Sequence, residues 1–330
     1  MGPCLSETEL ISRFFQFGIP DHWPTQGIGD DCAILEIGST CLAVTTDTVA
    51  GGTHFLPDAN PYTIGKKALA VNLSDLAAAG AVPRCFFLAL SLPQADAVWL
   101  EAFSRGLSEE ARAFACPLVG GDTTKTTQIG DVRAPFSITI TAIGEAQKPL
   151  TRQGATVGDD IWVSGTPGDA YLALMLRTGQ WRGECNNYLA RAMDTPTPRV
   201  ALGQFLSRHA SACADISDGF LKDLGNILNR SKVGAEVYID RLAVSDDLSK
   251  RSMNERRQAQ LAGGDDYELV WTAPVCEREA IWDYARRRAQ EGEAIALSRV
   301  GTITDSGLKL LDKNGCEIEN SFFGFDHFAQ

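Results

Sequence analysis

Strand-like and helix-like segments alternate along this chain, and that alternation limits its fold more than any other feature of the sequence. Between residues 63 and 92, apolar residues at helical spacing continue to Ala79, Gly80 marks the expected helix end, and the apolar segment 85–92 is typical of a strand. Further strands are predicted at 41–46, 136–143, 161–164, 235–239, 267–272 and 295–302, and further helices at 95–114, 169–178, 199–209, 219–229 and 277–290. The pattern predicts a mixed α/β (α+β) fold.

The length and one polar segment predict two domains. At about 150 residues per domain, a chain of 330 residues has room for two. The segment 145–158 is polar, rich in turn-forming residues and free of apolar periodicity, as expected of a boundary. We therefore expect an N-terminal domain over residues 1–148 and a C-terminal domain over residues 149–330.

The charge balance excludes several classes of partner. Thirty Lys and Arg against 42 Asp and Glu give a formal net charge of −12, so a basic surface for nucleic acid or an anionic membrane is not expected. The nine cysteines are scattered and the four histidines do not cluster, which argues against a disulfide framework and against a zinc site. Neither a signal peptide nor a membrane span is recognisable, so we expect a cytoplasmic protein.

Aspartates beside Gly, Ser or Thr recur in both halves of the chain. They are Asp30 and Asp31 in GIGDD, Asp47 in TTDT, Asp75 in NLSD, Asp122 in GGDT, Asp215 and Asp218 in DISDG, and Asp265 and Asp266 in GGDD. Any one of these motifs alone is more simply explained as a turn. Asp75 is harder to explain in this way, because it lies in an apolar helical segment with Asn72 on the same face. A buried carboxylate there requires a partner or a metal ion.

Hard oxygen ligands without a Cys/His set indicate Mg²⁺ rather than a transition metal. Mg²⁺ usually binds through few carboxylates together with substrate phosphates, so many aspartates suggest several ions around a polyphosphate such as ATP. The chain has no G-x-x-x-x-G-K-[ST], no G-x-G-x-x-G and no protein-kinase catalytic-loop set. The common nucleotide-binding folds are therefore not indicated.

An ordered set of motifs extends over nearly the whole chain. The motifs are GIGDDCAIL, TTDTVAGGTHF, KALAVNLSDLAAAGAVP, LVGGDTTKT, LTRQGATVGDDIWVSG, ADISDGFLKDLGNIL, GGDDYELVWT and GFDHF. In this order they resemble the thiamine-monophosphate kinase family. This family is related to aminoimidazole ribonucleotide synthetase and selenophosphate synthetase. The resemblance implies a two-domain aminoimidazole-ribonucleotide-synthetase-like fold. The N-terminal domain would form a homodimer and supply acidic metal ligands, and the C-terminal domain would close the nucleotide site.

The resemblance also implies roles for individual residues. The implied Mg²⁺ ligands are Asp30, Thr45, Thr46, Asp47, Asp75, Asp122, Asp215 and Asp218. The implied ATP contacts are Gly121, Asp122, Arg152 and Ser217, and the implied substrate contacts are His54, Glu268 and Phe325. From the residues alone, Arg152 is more simply an exposed linker cation and His54 a packing or surface residue. Glu268 could equally be an outward strand residue and Phe325 a C-terminal core aromatic. The chain departs from the family at Ser104, where members often have Tyr beside the adenine, and at Phe325, where some have Trp.

The reaction implied by the resemblance is ATP plus thiamine monophosphate giving ADP plus thiamine diphosphate. We expect direct in-line, Mg²⁺-assisted transfer without a covalent nucleophile, because the acceptor is already a largely ionised phosphate. The alternatives are a sister enzyme acting on another acceptor, a non-catalytic cation-binding module, and a signalling-nucleotide cyclase suggested by GGDDYE alone. Selenophosphate synthetase would need a reactive residue near the N-terminus, and the nearest candidate is Cys4.

Overall fold

A computed structural model describes residues 6–15, 25–127 and 136–327, and Cys4 lies outside these ranges. The first part of the chain forms one six-stranded sheet with the order β1-β2-β3-β6-β4-β5. Its elements are α1 (Glu7–Phe14), β1 (Thr25–Gln26), β2 (Ala33–Ile37), β3 (Thr40–Ala50), α2 (Pro61–Ala78), β4 (Val82–Leu92), α3 (Ala97–Ala113), β5 (Leu118–Lys125) and β6 (Ser137–Glu145). All pairs in this sheet are antiparallel except β4 with β5.

The second part forms a seven-stranded sheet with the order β13-β12-β9-β11-β7-β10-β8. Its strands are β7 (Asp160–Ser164), β8 (Ala212–Ile216), β9 (Gly234–Tyr238), β10 (Glu268–Ala273), β11 (Leu297–Thr304), β12 (Leu308–Leu311) and β13 (Glu317–Ile318). Its helices are α4 (Asp169–Arg177), α5 (Asn187–Asp194), α6 (Val200–Leu206), α7 (Phe220–Ser231), α8 (Asp246–Ser249), α9 (Met253–Ala262) and α10 (Arg278–Gln290), with 3₁₀ turns at Ile239–Arg241 and Val275–Glu277. The mixed α/β prediction is confirmed.

Helix α2 connects the two sheets and positions most of the site. Asn60 caps its N-terminus with Pro61 at the first turn, and Gly80 ends it in a left-handed conformation. The helix packs against α3, β3 and β6 on one side and against α6 and β8 on the other. Because it is enclosed on both sides, 13 of its 18 residues are buried, including the polar Asn72 and Ser74. Asp75 near its C-terminal end therefore lies between the two sheets.

Two local expectations from the sequence differ from the structure. No strand was predicted before the helix at 219–229, but Asp215 of DISDG belongs to the fully buried strand β8, and α7 begins at Phe220. Strand β5 was not predicted, because LVGGDTTK has too many glycines to suggest a strand. It forms because its backbone pairs in parallel with β4 along the sheet edge. Among the described residues, no helix is long and apolar enough to span a membrane.

Candidate active site

Three buried carboxylates meet where the two sheets approach each other. Asp31 precedes β2, Asp75 lies on α2 and Asp215 lies on β8, and oxygen atoms of the three side chains lie within 4.8 Å of one another. Hydroxyl groups fix two of them: Thr45 Oγ1 donates to Asp75 Oδ2 at 2.5 Å, and Ser74 Oγ donates to Asp215 Oδ2 at 2.8 Å. We call Asp31, Asp75 and Asp215 the carboxylate cluster.

The carboxylate cluster has the composition and the burial of a cation site. Burial, followed by repulsion from the neighbouring aspartates, raises the pKa of Asp75 and of Asp215 well above the ordinary value. Burial also raises the pKa of Asp31, although Arg152 opposes the rise. Asp31 Oδ2 is buried and, within the described part of the chain, has no hydrogen-bond partner. Oxygen ligands with one unsatisfied buried acceptor are a donor set that fits Mg²⁺.

The two aspartates of GIGDD have different environments. Asp31 joins the carboxylate cluster, whereas the carboxylate of Asp30 accepts hydrogen bonds from the backbone N–H of Arg152 at 3.1 and 3.2 Å. The resemblance includes Asp30, but not Asp31, among the implied metal ligands, and the structure places Asp31 in the carboxylate cluster. The guanidinium of Arg152 donates to Asp31 Oδ1 at 2.5 Å, and its side chain is largely buried. Arg152 is therefore part of the site and not an exposed linker cation.

Strand β3 brings its threonines and Asp47 to the same region. Asp47 N donates to Asn72 Oδ1 at 3.2 Å, so Asn72 links β3 to α2. Burial raises the pKa of Asp47, and a hydrogen bond with Asp75 opposes the rise. Thr45 faces Asp75, whereas Thr46 forms a hydrogen bond with Thr141 on β6. The structure thus brings Thr45 and Asp47, but not the Thr46 hydroxyl, to the carboxylate cluster.

The loop after β8 is held by an aspartate that the sequence analysis did not select. Asp223 Oδ2 accepts the backbone N–H groups of Ser217, Asp218 and Gly219, each at 3.1 Å. Burial, followed by the charge of Asp218, raises the pKa of Asp223 to about 8. Asp218 itself forms an ion pair with Lys222 at 2.6 Å. Asp223 was missed because an acid in the first turn of a helix is common without any special role.

Gly121 and Asp122 lie away from the carboxylate cluster. Asp47 on β3 is opposite Ile140 on β6, Ile140 is opposite Leu88 on β4, and Leu88 is opposite Gly121 on β5. Three strand spacings separate Asp47 from Gly121, which is about 14 Å. A Cβ at Gly121 would lie 1.8 Å from Leu88 O, so the backbones approach closely there and only glycine fits. All residues of β5 are exposed.

Two of the three predicted substrate contacts lie together. The ring of His327 lies 5.3 Å from the ring of His54 and 4.8 Å from that of Phe325. Phe325 N donates to Asp218 O at 2.9 Å, which attaches this aromatic group to the loop after β8. His54 Nδ1 accepts from Ala50 N at 3.1 Å, and burial lowers the pKa of His54. His327 belongs to the GFDHF motif but was not among the predicted substrate contacts.

The third predicted substrate contact, Glu268, lies in a separate cavity of about 670 Å³. Its walls come from both halves of the chain, with Lys66 and Glu110 on one side and Tyr188 and Arg199 on the other. Glu268 is 8% exposed and forms an ion pair with Arg199. It therefore has a buried partner and is not an outward strand residue. Its backbone is opposite Ile216, the residue after Asp215, so the cavity and the carboxylate cluster lie at the same end of β8 and β10.

Comparisons with known proteins agree with this architecture. The AIR synthase related protein N-terminal domain matches residues 29–146, and the corresponding C-terminal domain matches residues 156–312. The thiamine-monophosphate kinase of Salmonella typhimurium is 40% identical over 333 aligned positions, covering 98% of each chain. The chain belongs to the thiamine-monophosphate kinase family. The crystal structure of the family member from Stenotrophomonas maltophilia K279a is 40% identical, with a TM-score of 0.75 over 88% of this chain and 92% of that one.

A thiamine-monophosphate kinase family structure with bound ligands is also similar. AaThiL complexed with AMPPCP and TMP is 29% identical, with a TM-score of 0.80 over 98% of this chain and 97% of that one. Membership makes this chain an enzyme, a thiamine-phosphate kinase by family. The resemblance and the two-domain fold expected from it are thereby confirmed. The domain boundary at residues 148 and 149 and the individual site residues stay predictions.

Proposed function

We propose that this chain transfers the γ-phosphoryl group of ATP to thiamine monophosphate and releases ADP and thiamine diphosphate. Two findings support the substrates: the family's thiamine-monophosphate kinases and the related structure with AMPPCP and TMP. The observation that carries the proposal is the carboxylate cluster at the junction of the sheets, with its one unsatisfied buried oxygen. Acidic side chains can hold a polyphosphate only if cations lie between the carboxylates and the phosphates.

We propose that Asp31, Asp75 and Asp215 hold Mg²⁺, with Asp47 and Thr45 beside them. Asp30, Thr46, Asp122 and Asp218 remain proposed ligands on the family resemblance alone. Bound Mg²⁺ would neutralise the charge of the phosphates and bring donor and acceptor together. Arg152 is the chain's own cation at the cluster and is suited to a nucleotide phosphate, as the resemblance implies. The backbone of Ser217, fixed by Asp223, is proposed to contact ATP as well.

The acceptor chemistry explains why no base or nucleophile is proposed. The second pKa of a phosphate monoester is about 6, so the acceptor oxygen is largely ionised near neutral pH. The site has to align the two phosphates and exclude water, which favours direct in-line transfer. His54 and Phe325, joined through His327, are proposed to contact the substrate. An aromatic group suits a cationic thiazolium ring.

We propose a homodimer in which the second copy supplies Gly121 and Asp122. Within one chain, Gly121 lies about 14 Å from Asp47 at the cluster. If Asp122 binds an ion of the nucleotide held at the cluster, that distance is too long for one chain to supply both Asp122 and Asp47 to the same ion. Gly121 and Asp122 lie on an exposed edge strand, next to the exposed apolar side chains of Leu118 and Val119. Edge strands with apolar neighbours are suited to pairing with another copy.

Hybrid dimers test this arrangement directly. Asp75→Asn and Asp122→Asn chains carrying different tags would each be inactive, whereas a hybrid of the two contains one intact site if residues come from both copies. Random pairing then recovers about a quarter of the wild-type activity. A co-expressed mixture as inactive as the separate variants would overturn the shared site.

We also propose a cytoplasmic location, because the eight cysteines in the described residues are free thiols.

The decisive experiment for the reaction is product analysis with purified protein, ATP, Mg²⁺ and thiamine monophosphate. Thiamine diphosphate should form only when all three are present with the protein. ATP turnover that does not depend on thiamine monophosphate would favour a sister enzyme with another acceptor. Nucleotide binding without any turnover would favour a non-catalytic module.

A further inference from the structure

Glu268 is held by more contacts than a simple counter-ion needs. Arg199 donates from Nε to Glu268 Oε2 at 2.7 Å and from its terminal nitrogen to Oε1, the paired geometry that only a guanidinium can offer. Ser164 Oγ donates to Glu268 Oε2 at 2.5 Å while accepting from Leu269 N at 2.9 Å, which fixes the direction of its hydroxyl proton. Three donors therefore fix the carboxylate in one orientation.

The remaining hydrogen-bonding capacity of this carboxylate can be counted. A carboxylate has about four acceptor positions, two on each oxygen. Among the described residues, Glu268 Oε2 accepts two hydrogen bonds and Oε1 accepts one, so one acceptor position on Oε1 is left, and Glu268 lines the cavity. Oε1 occupies the space of the missing side chain at Gly165, where a Cβ would lie 1.9 Å from it. The ion pair with Arg199 also cancels the charge of Glu268, so the group offers a directed acceptor and not a free negative charge.

The backbone that carries Arg199 is stiff. Arg199 lies at the start of α6 and follows Pro196 and Pro198, whose rings fix the backbone angle φ. Its side chain is 25% exposed and that of Glu268 is 11% exposed, so the pair is mostly shielded from water. Shielding and a rigid support are what a positioning residue requires.

We propose that Arg199 positions Glu268 so that its one open acceptor receives a hydrogen bond from an amino group on the aromatic ring of the substrate. This inference rests on the proposed function, because thiamine monophosphate carries such a group on its aminopyrimidine ring. Arg199 is then a specificity-determining residue that acts through Glu268. The cavity between the two halves of the chain holds the ring end of the substrate, and the phosphate end lies toward the carboxylate cluster.

The test compares thiamine monophosphate with oxythiamine monophosphate, in which a carbonyl oxygen replaces the amino group. A carbonyl oxygen facing the open acceptor position places two acceptors opposite each other without a proton between them, so wild-type kcat/KM should fall by about 100-fold. Arg199→Lys keeps the charge but loses the paired hydrogen bonds. It should raise the KM for thiamine monophosphate about tenfold, leave kcat and the KM for ATP unchanged, and reduce the discrimination between the two substrates about tenfold.

Three further variants serve as controls. Arg199→Met alone leaves the Glu268 carboxylate buried without a cation and is expected to destabilise the fold. The double variant Arg199→Met/Glu268→Gln removes both charges. It should melt close to the wild type and show no discrimination between the two substrates. Arg177→Lys changes a comparable Arg–Asp pair with Asp194 and should leave both constants unchanged. If Arg199→Lys still phosphorylates thiamine monophosphate and discriminates against oxythiamine monophosphate as strongly as the wild type does, the proposed role of Arg199 is wrong and the proposed function stands. A wild type that does not phosphorylate thiamine monophosphate would overturn the proposed function and this inference together.

Discussion

Replacing Asp75 by Asn should stabilise the metal-free protein and abolish its activity. Asp75 lies within 4.8 Å of both Asp31 and Asp215, and burial and mutual repulsion raise its pKa. Asn has nearly the same shape and can still accept the hydrogen bond from Thr45. The substitution therefore removes one charge from the carboxylate cluster and leaves the packing of α2 unchanged.

The size of the effect follows from Coulomb's law. With an effective dielectric constant of about 20, two unit charges at this separation repel by about 3.5 kcal/mol. Asp75 faces two such neighbours, but protonation and the nearby guanidinium of Arg152 relieve part of the repulsion. We expect a net gain of about 3 kcal/mol in the free energy of unfolding, which raises the melting temperature by about 4 °C in a protein of this size.

Scanning calorimetry with chelator and with millimolar Mg²⁺ measures both parts of the prediction. The wild type should melt at a higher temperature with Mg²⁺, because a ligand that binds only the folded state stabilises it. Asp75→Asn should melt above the wild type in chelator, respond little to Mg²⁺, and transfer phosphoryl groups more slowly by orders of magnitude. The exposed Asp305 provides a control, since Asp305→Asn should change none of these quantities.

Two results would refute this reasoning. If Asp75→Asn melts below the wild type in chelator, the carboxylates do not repel one another in the folded protein. If it keeps the full Mg²⁺ response and near-wild-type turnover, the carboxylate cluster is not the metal site.

Three further predictions follow from the same geometry. The melting temperature of the metal-free protein should fall from about pH 5 to pH 8, because carboxyl groups with raised pKa values, Asp223 at about 8 among them, are protonated when folded and ionised when unfolded. Each such group contributes about 1.4 kcal/mol per pH unit, and a rise in stability over this range would contradict the assignment. Gly121→Ala should disrupt the pairing of β4 with β5 and weaken dimerisation, whereas Gly120→Ala, whose Cβ would meet only the Phe87 side chain, should have little effect in analytical ultracentrifugation. Calorimetric titration in chelator should detect only weak ATP binding, and tight binding there would mean that metal ions are not needed between the carboxylates and the phosphates.

The sequence predicts those parts of the site that have a local pattern. Asp75 could be recognised because one acid interrupts an apolar helical segment. The segment is apolar because most of α2 is buried, so an acid within it indicates a site. Strands β7 and β10 of the second sheet could be recognised because each is buried throughout and has an apolar centre, whereas the equally buried β8, with the sequence ACADI, was missed. Strand β5 lacks such a pattern, and its pairing with β4 had to be seen in the structure.

Contacts between distant segments could not be predicted in this way. Asp30 and Asp31 have the same neighbours in sequence, and only the position of the Arg152 backbone, more than a hundred residues away, separates their environments. The pair of Glu268 and Arg199 likewise joins residues 69 positions apart, on a strand and before a helix. No spacing rule relates such residues, since their distance depends on how the elements pack.

Asp122 illustrates a further limit on what motifs can provide. The family resemblance assigns Asp47 and Asp122 to metal ions around one nucleotide, but a motif does not say which copy of the chain contributes each residue. The register across β3, β6, β4 and β5 keeps the two residues about 14 Å apart in any one chain, because the hydrogen-bonded ladder cannot shorten. Either the two aspartates act on different ions, or a second copy brings Asp122 to the cluster. The hybrid dimer separates these cases: recovered activity requires residues from both copies, and its absence requires two separate ions within one chain.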